Sequence, residues 1–324
     1  AIELSLGWGI WSSYINPINP NLTDVFANIV NDVEIIKDQT GGVYWPQFGI
    51  NSINEIIPGQ GYQAKMHSDN TLILEGTLVP HNLDIQLNNG WGIIGYLHTN
   101  CFNVDDMMQP IINNLVIMKD ENGSVYWPMF GLNSIEILCP GKGYQIKMEN
   151  ASLFNFPSNG RFGYYEEHIN EKINYYKKPK NTGNNMIIGL PISSWQITPF
   201  IGDEIAAFDR SGRLIGKTTF NGENIALTIW GDDLTTNHKD GLNVGEKITF
   251  KLWNTETNTE SKLLITKWEE GTNTYTIDGI SIASSIIVDN QVFEKELVRT
   301  IDILGRETYK HGIQLEIYND GSVK

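Results

Sequence analysis

Basic residues are scarce in this chain. Its 324 residues carry 23 Lys and Arg against 38 Asp and Glu, a net charge of −15. A nucleic-acid binder needs a Lys/Arg footprint to neutralise phosphates, so that class is excluded. Docking on an anionic membrane surface is disfavoured for the same reason. Charge of either sign is thin at 19%, while 40% of residues are hydrophobic, so the chain has material for packed cores and is not a disordered acidic tail. No apolar run approaches the roughly 18 residues of a membrane helix, which excludes insertion by that route. Stretches rich in Glu, Lys, Ala and Leu are also missing, so long amphipathic helices are not expected. Polarity rests instead on Asn, Ser, Thr and Gly, which suit turn-rich β structure.

Cysteine is nearly absent. Cys101 and Cys139 read either as a disulfide in an exported protein or as two buried thiols. The chain opens at Ala1 directly into alternating Ile2–Leu6, without a charged and then apolar leader. The expectation is a leader already removed, or a longer protein continuing upstream. Catalytic signatures are missing too: there is no G-x-S-x-G, H-E-x-x-H, P-loop or strand-borne G-x-G-x-x-G. The six histidines, at 67, 81, 98, 168, 238 and 311, show no metal spacing.

What is present is a tandem repeat. GGVYWPQFGINSI (41–53) returns as GSVYWPMFGLNSI (123–135), and PGQGYQAKM (58–66) returns as PGKGYQIKM (140–148). VEIIKD (33–38) aligns with LVIMKD (115–120), and the GWGI strings at 7–10 and 90–93 open the two copies. Ile2–Leu6 and Leu83–Leu87 alternate with period 2 and predict half-buried strands. Asp24 and Asp105 stand before apolar residues spaced by three and four, predicting a short helix with an acidic start. The segments around Gly41–Gly42 and Gly123 predict hairpins. Residues 51–57 and 133–138 predict a helical turn. Each copy thus reads as a small α+β unit, one helix on a sheet. At about 80 residues each is small for independent stability, so the copies are expected to pack together.

Tyr44, Trp45, Tyr126 and Trp127 are candidate ligand-binding residues, an aromatic platform for sugar rings. The competing reading buries them in the core or between the copies. Residues 161–182 read as a solvated linker; Glu166, Glu167 and His168 there lack a second ligand cluster. From 183 to 290, strand-like segments separated by Gly and Asn turns predict an antiparallel β-sandwich. The loop 231–246 places hard oxygen donors at Asp232, Asp233, Asn237 and Asp240, a candidate calcium site without EF-hand spacing. Its alternative is an Asx-turn loop with Gly241 at positive φ.

The closing segment carries Arg299, Ile301, Asp302, Leu304, Gly305, Arg306 and Glu307, then Ile317, Tyr318, Asp320, Gly321 and Ser322. This pattern resembles the C-terminal sorting signal of Bacteroidota proteins exported by type IX secretion. The repeats and the GDEIAAFD and IWGDD strings (202–209, 229–233) are similar to modules of secreted proteins from that phylum. The resemblance implies an extracellular or outer-surface location and the type IX machinery as a partner. It implies no catalytic residues, and an N-P-containing strand and basic apolar tail found in the longer sorting domain are not evident; no cofactor is expected beyond the candidate calcium. The division expected is 1–80 and 81–160 for the copies, 161–182 linker, 183–290 sandwich and 291–324 partial sorting domain. The function expected is a non-catalytic structural or adhesive protein that self-associates or binds a surface glycan or protein. The alternative is a glycan-binding or accessory region of a secreted hydrolase.

Overall fold

The fold is that of a computed structural model describing residues 1–163, 174–289, 297–302 and 314–318. It is mainly β. Two five-stranded antiparallel sheets precede a closed seven-stranded barrel. The first sheet runs Gly7–Ser12, Gly61–Met66, Val33–Lys37, Val43–Trp45, Ile50–Asn51. The second runs Gly90–Gly95, Gly143–Met148, Leu115–Lys119, Val125–Trp127, Leu132–Asn133 in the same order. Registers agree as well: Ile36 lies opposite Tyr44 and Met118 opposite Tyr126.

Period-2 alternation aims one face of each sheet at its own core. Trp11, Phe26, Tyr44 and Tyr62 fill the first core, and Tyr96, Met107, Tyr126 and Phe154 the second. The helices are shorter than the spacing predicted, Leu22–Val25 and Val104–Met108, each running into a 3-10 segment. Their N-caps are Asn21 and Asn103, whose side chains accept the N–H two residues on; the aspartates occupy the first turn behind them. The helical turns expected at 51–57 and 133–138 do not form; 3-10 turns fall earlier, at Pro46–Phe48 and Pro128–Phe130, and each is followed by a two-residue strand, Ile50–Asn51 and Leu132–Asn133. Pro46 opens the first of these turns and Gly49, at φ 64°, stops it.

The two sheets meet through reciprocal contacts. Gly95 N donates to Gly59 O (2.8 Å), and Ser12 N donates to Gly141 O (2.9 Å). Gln39 Oε1 accepts from Ile93 N (2.9 Å), and Glu121 Oε2 accepts from Ile10 N (3.0 Å). A Cβ at Gly61 would sit 2.9 Å from Ile94 O, and one at Gly143 would sit 2.8 Å from Trp11 O. Glycine is required at both positions because backbone approaches backbone there. Equivalent residues exchanging equivalent bonds is the pattern of a two-fold interface, here within one chain.

The strands expected as a sandwich close into a barrel. Its order is Asn185–Leu190, Ile225–Trp230, Leu214–Thr219, Glu204–Phe208, Thr249–Asn254, Thr259–Glu270, Ile280–Asp289. The first and last strands pair in parallel, with Ile187 opposite Ile280 and Gly189 opposite Ile282. That pairing removes both sheet edges. Alternation along a strand looks the same in sandwich and barrel, so no local pattern announced the closure.

The described part of the linker is also not simply solvated. Tyr176 is buried, Tyr175 stacks on Trp253 at 3.6 Å, and their N–H groups donate to Glu204. Residues 166–168 lie outside the described residues. At the C-terminus, Leu297–Asp302 pairs antiparallel with Gln314–Tyr318. These strands carry Arg299, Asp302 and Tyr318; Leu304, Gly305, Arg306, Glu307, Asp320 and Gly321 lie outside the described residues.

Candidate functional site at the seam between sheets and barrel

The outer faces of both sheets carry the same three-residue arrangement. Lys37 Nζ stands 4.4 Å from the Trp8 ring, and Lys119 Nζ stands 4.2 Å from the Trp91 ring. Lys65 and Lys147 flank the same rings at 6.0 and 5.9 Å. A lysine over a tryptophan face is attracted by the ring quadrupole, more strongly when desolvated. Each tryptophan then reaches a barrel aspartate. Trp8 Nε1 donates to Asp233 Oδ2 (2.8 Å), and Trp91 Nε1 donates to Asp278 O (3.0 Å).

Around Asp233, Lys65 Nζ lies 3.0 Å from Oδ2, and Thr235 donates its hydroxyl and N–H to Oδ1. Burial alone would raise the Asp233 carboxyl. The Thr235 donors, Trp8 and Lys65 outweigh it and hold the group below the usual carboxylate range. A depressed carboxylate adds stability that is present above its unfolded value and is lost as pH falls through its folded value. The melting temperature of the wild type is therefore expected to fall with acidification below about pH 4, and Asp233→Asn should flatten that limb. Equal slopes in both proteins would remove Asp233 from the account.

The loop 231–246 is thus a docking loop. Asp232 Oδ1 accepts from Asp240 N and Gly241 N, Asp240 Oδ1 accepts from Asp233 N, and Asn237 is exposed. The four proposed calcium ligands do not converge, and no group of three or more His, Cys, Asp or Glu suited to a metal occurs among the described residues. Asp232 and Asp240 do form the Asx-type contacts of the alternative reading. Gly241, however, is needed for closeness, since a Cβ there would overlap Gly231 O; Gly245 holds the positive φ.

The aromatic candidates separate. Tyr44 and Tyr126 are buried in the two sheet cores. Trp127 is 1% exposed and packs with Ile117, Val125, Ile187 and Ile282, at the junction of second sheet and barrel. A Cβ at Gly189 would stand 3.1 Å from its ring. Asn224 Nδ2 donates to Phe130 O (2.8 Å) and Thr228 Oγ1 donates to Gly123 O (2.6 Å) across the same junction. Trp45, the equivalent residue, is half-buried and meets Phe48 edge-on at 4.8 Å, with Phe48 61% exposed. Cys101 and Cys139 form a disulfide, S–S 2.01 Å.

Sequence reasoning missed Trp8, Trp91, Lys65, Lys119, Asn185 and Asp278. A signal existed: the repeated strings carry lysine at 37/119 and 65/147 inside strands that supply the sheet cores, where a charge needs a partner. Comparison of the chain with protein-family models, curated proteins and solved structures finds no match.

Proposed function

We propose that this chain is a non-catalytic extracellular or cell-surface structural protein, exported by type IX secretion, and a subunit of a surface assembly. Its first part is two tandem copies of one α+β unit; the barrel and the sorting segment follow. The observation carrying the assembly reading is an unmatched face. The second unit grips the barrel with Val125, Trp127, Phe130 and Leu132. The first unit carries Val43, Trp45, Phe48 and Ile50 at the equivalent positions, with Phe48 61% and Ile50 44% exposed. Barrel atoms crowd the Cβ position of Gly123, whereas Gly41 faces open space. A strip built to bury apolar surface and left open is an interaction site. Its occupant in this reading is a second copy of the chain. The disulfide supports an oxidising compartment, and the low content of basic residues supports a soluble surface.

Light scattering across a concentration series tests this. Wild type should associate, and Phe48→Asp should shift association at least tenfold higher in concentration, about 1.4 kcal/mol. A monomer throughout the series would overturn the assembly reading. The pairing of half-buried Trp45 with exposed Phe48 favours a second reading, a glycan-binding surface. A glycan array on which wild type binds and Trp45→Ala does not would select it.

A further inference from the structure

We propose that Lys119 and Asn185 join in an intramolecular isopeptide bond, with Asp278 as the proton carrier. The three side chains come from three places: the strand Leu115–Lys119 of the second sheet, the first barrel strand, and the turn before the last barrel strand. Lys119 Nζ lies 2.9 Å from Asn185 Oδ1 and 2.9 Å from Asp278 Oδ1. The Lys119 side chain is 0% exposed and Asn185 is 5% exposed, with the Trp91 ring over the amine. The Asp278 backbone is pinned at both ends. Its N–H donates to Asn185 O (2.9 Å), its carbonyl accepts from Trp91 Nε1 (3.0 Å), and its φ is 56°.

An amine attacks a carboxamide only when it is unprotonated and the carbonyl is polarised. Water supplies neither condition at neutral pH. Burial here disfavours the ammonium and pushes Lys119 down from the usual lysine value, against the opposing pull of Asp278. A proton passing from Nζ to Asp278 leaves an amine, a carboxylic acid and a carboxamide in contact. The Nζ lone pair adds to Asn185 Cγ while Asp278 gives its proton to Oδ1. Asp278 then takes a proton from Nζ and passes it to Nδ2, the C–Nδ2 bond breaks, the nitrogen leaves as ammonia, and the carbonyl re-forms as the proton on Oδ1 returns to Asp278. Amine plus primary amide becomes secondary amide plus ammonia, Asp278 is restored, and nothing is oxidised or reduced. Holding the reactants in contact replaces a bimolecular encounter, and Asp278 is within reach for general acid–base transfer.

The first unit shows the contrast. Lys37, the equivalent of Lys119, stands over the Trp8 ring, and the amine that reaches the barrel carboxylate there is Lys65, which ends on Glu34, Asp233 and the Thr235 hydroxyl, an acceptor set that suits a permanent ammonium. Lys119 instead meets one carboxylate and one carboxamide. The bond would span from the second unit to the barrel and bypass residues 161–182, so the junction would hold under load even if the linker were cut.

Intact mass of the reduced, denatured wild-type chain tests the inference. The expected mass is lower than that of the sequence by one ammonia, and a protease digest should yield a branched peptide joining the fragments that contain Lys119 and Asn185. Lys119→Met and Asp278→Ala should each restore the full mass and the linear peptides. A wild-type mass equal to that of the sequence would overturn the proposal. So would an ammonia deficit with linear peptides only, since that marks a succinimide at an asparagine, or a deficit that survives Lys119→Met.

Discussion

Trp127→Ala is expected to cost about 4 kcal/mol of stability, while Trp45→Ala costs about 1 kcal/mol. The two residues occupy the same place in two near-identical strings, and their strands have the same register: Trp45 lies opposite Ile50 and Trp127 opposite Leu132. What differs is the neighbour. Trp127 fills the space between Ile117, Ile187 and Ile282, where the barrel is notched by Gly189 to receive it. Its Nε1 has no hydrogen-bond partner, so its contribution is packing alone. Truncation opens a cavity at a junction of two rigid sheets that cannot collapse into it. Trp45 loses mainly its edge contact with Phe48. Urea unfolding followed by circular dichroism checks the difference. With an unfolding unit this large, the loss at Trp127 should appear as an earlier separate transition for one part of the chain. Equal losses at Trp45 and Trp127 would mean that the barrel junction carries no weight.

This asymmetry also marks how far the sequence could be read. The repeat followed from strings that return along the chain, and its hairpins and the strand ending in Met66 or Met148 followed from local signals, strand-like runs and glycine turns. The burial of Tyr44 and Tyr126 followed from alternation. The fate of Trp45 against Trp127 could not, because each string lacks the information about what covers its outer face. One clue was present in the barrel. Met186–Leu190 is apolar without alternation, the pattern of a strand covered on both faces, and it meets the barrel core on one side and the second sheet on the other. The acidic loop misled for a related reason. Asp233 looked like a metal ligand because its partners, Trp8 and Lys65, lie more than 160 residues away. A carboxylate in a polar loop is satisfied equally well by a cation, by backbone N–H groups or by a distant lysine, and composition alone does not choose among them.

Reduction of the Cys101–Cys139 disulfide is expected to remove about 4 kcal/mol from the second unit, the loop-closure value for a separation of 38 residues. The bridge is an addition to the unit rather than part of its plan. At the equivalent positions the first unit carries Asn19 and Ile57, with Ile57 60% exposed, and it folds to the same strand order without a bridge. The surrounding bonds are shared: Tyr62 Oη accepts from Ile57 N as Tyr144 Oη accepts from Cys139 N. The native geometry therefore does not depend on sulfur, and the stabilisation acts by restricting the unfolded chain. Thermal melts with and without dithiothreitol check this. Wild type should melt lower under reductant, while the Cys101→Ser, Cys139→Ser double variant should melt at the reduced wild-type temperature in both buffers and keep its near-ultraviolet circular dichroism. A double variant that fails to fold would show that the second unit, unlike the first, needs its bridge to assemble, and its stability could then no longer be read from the geometry the two units share.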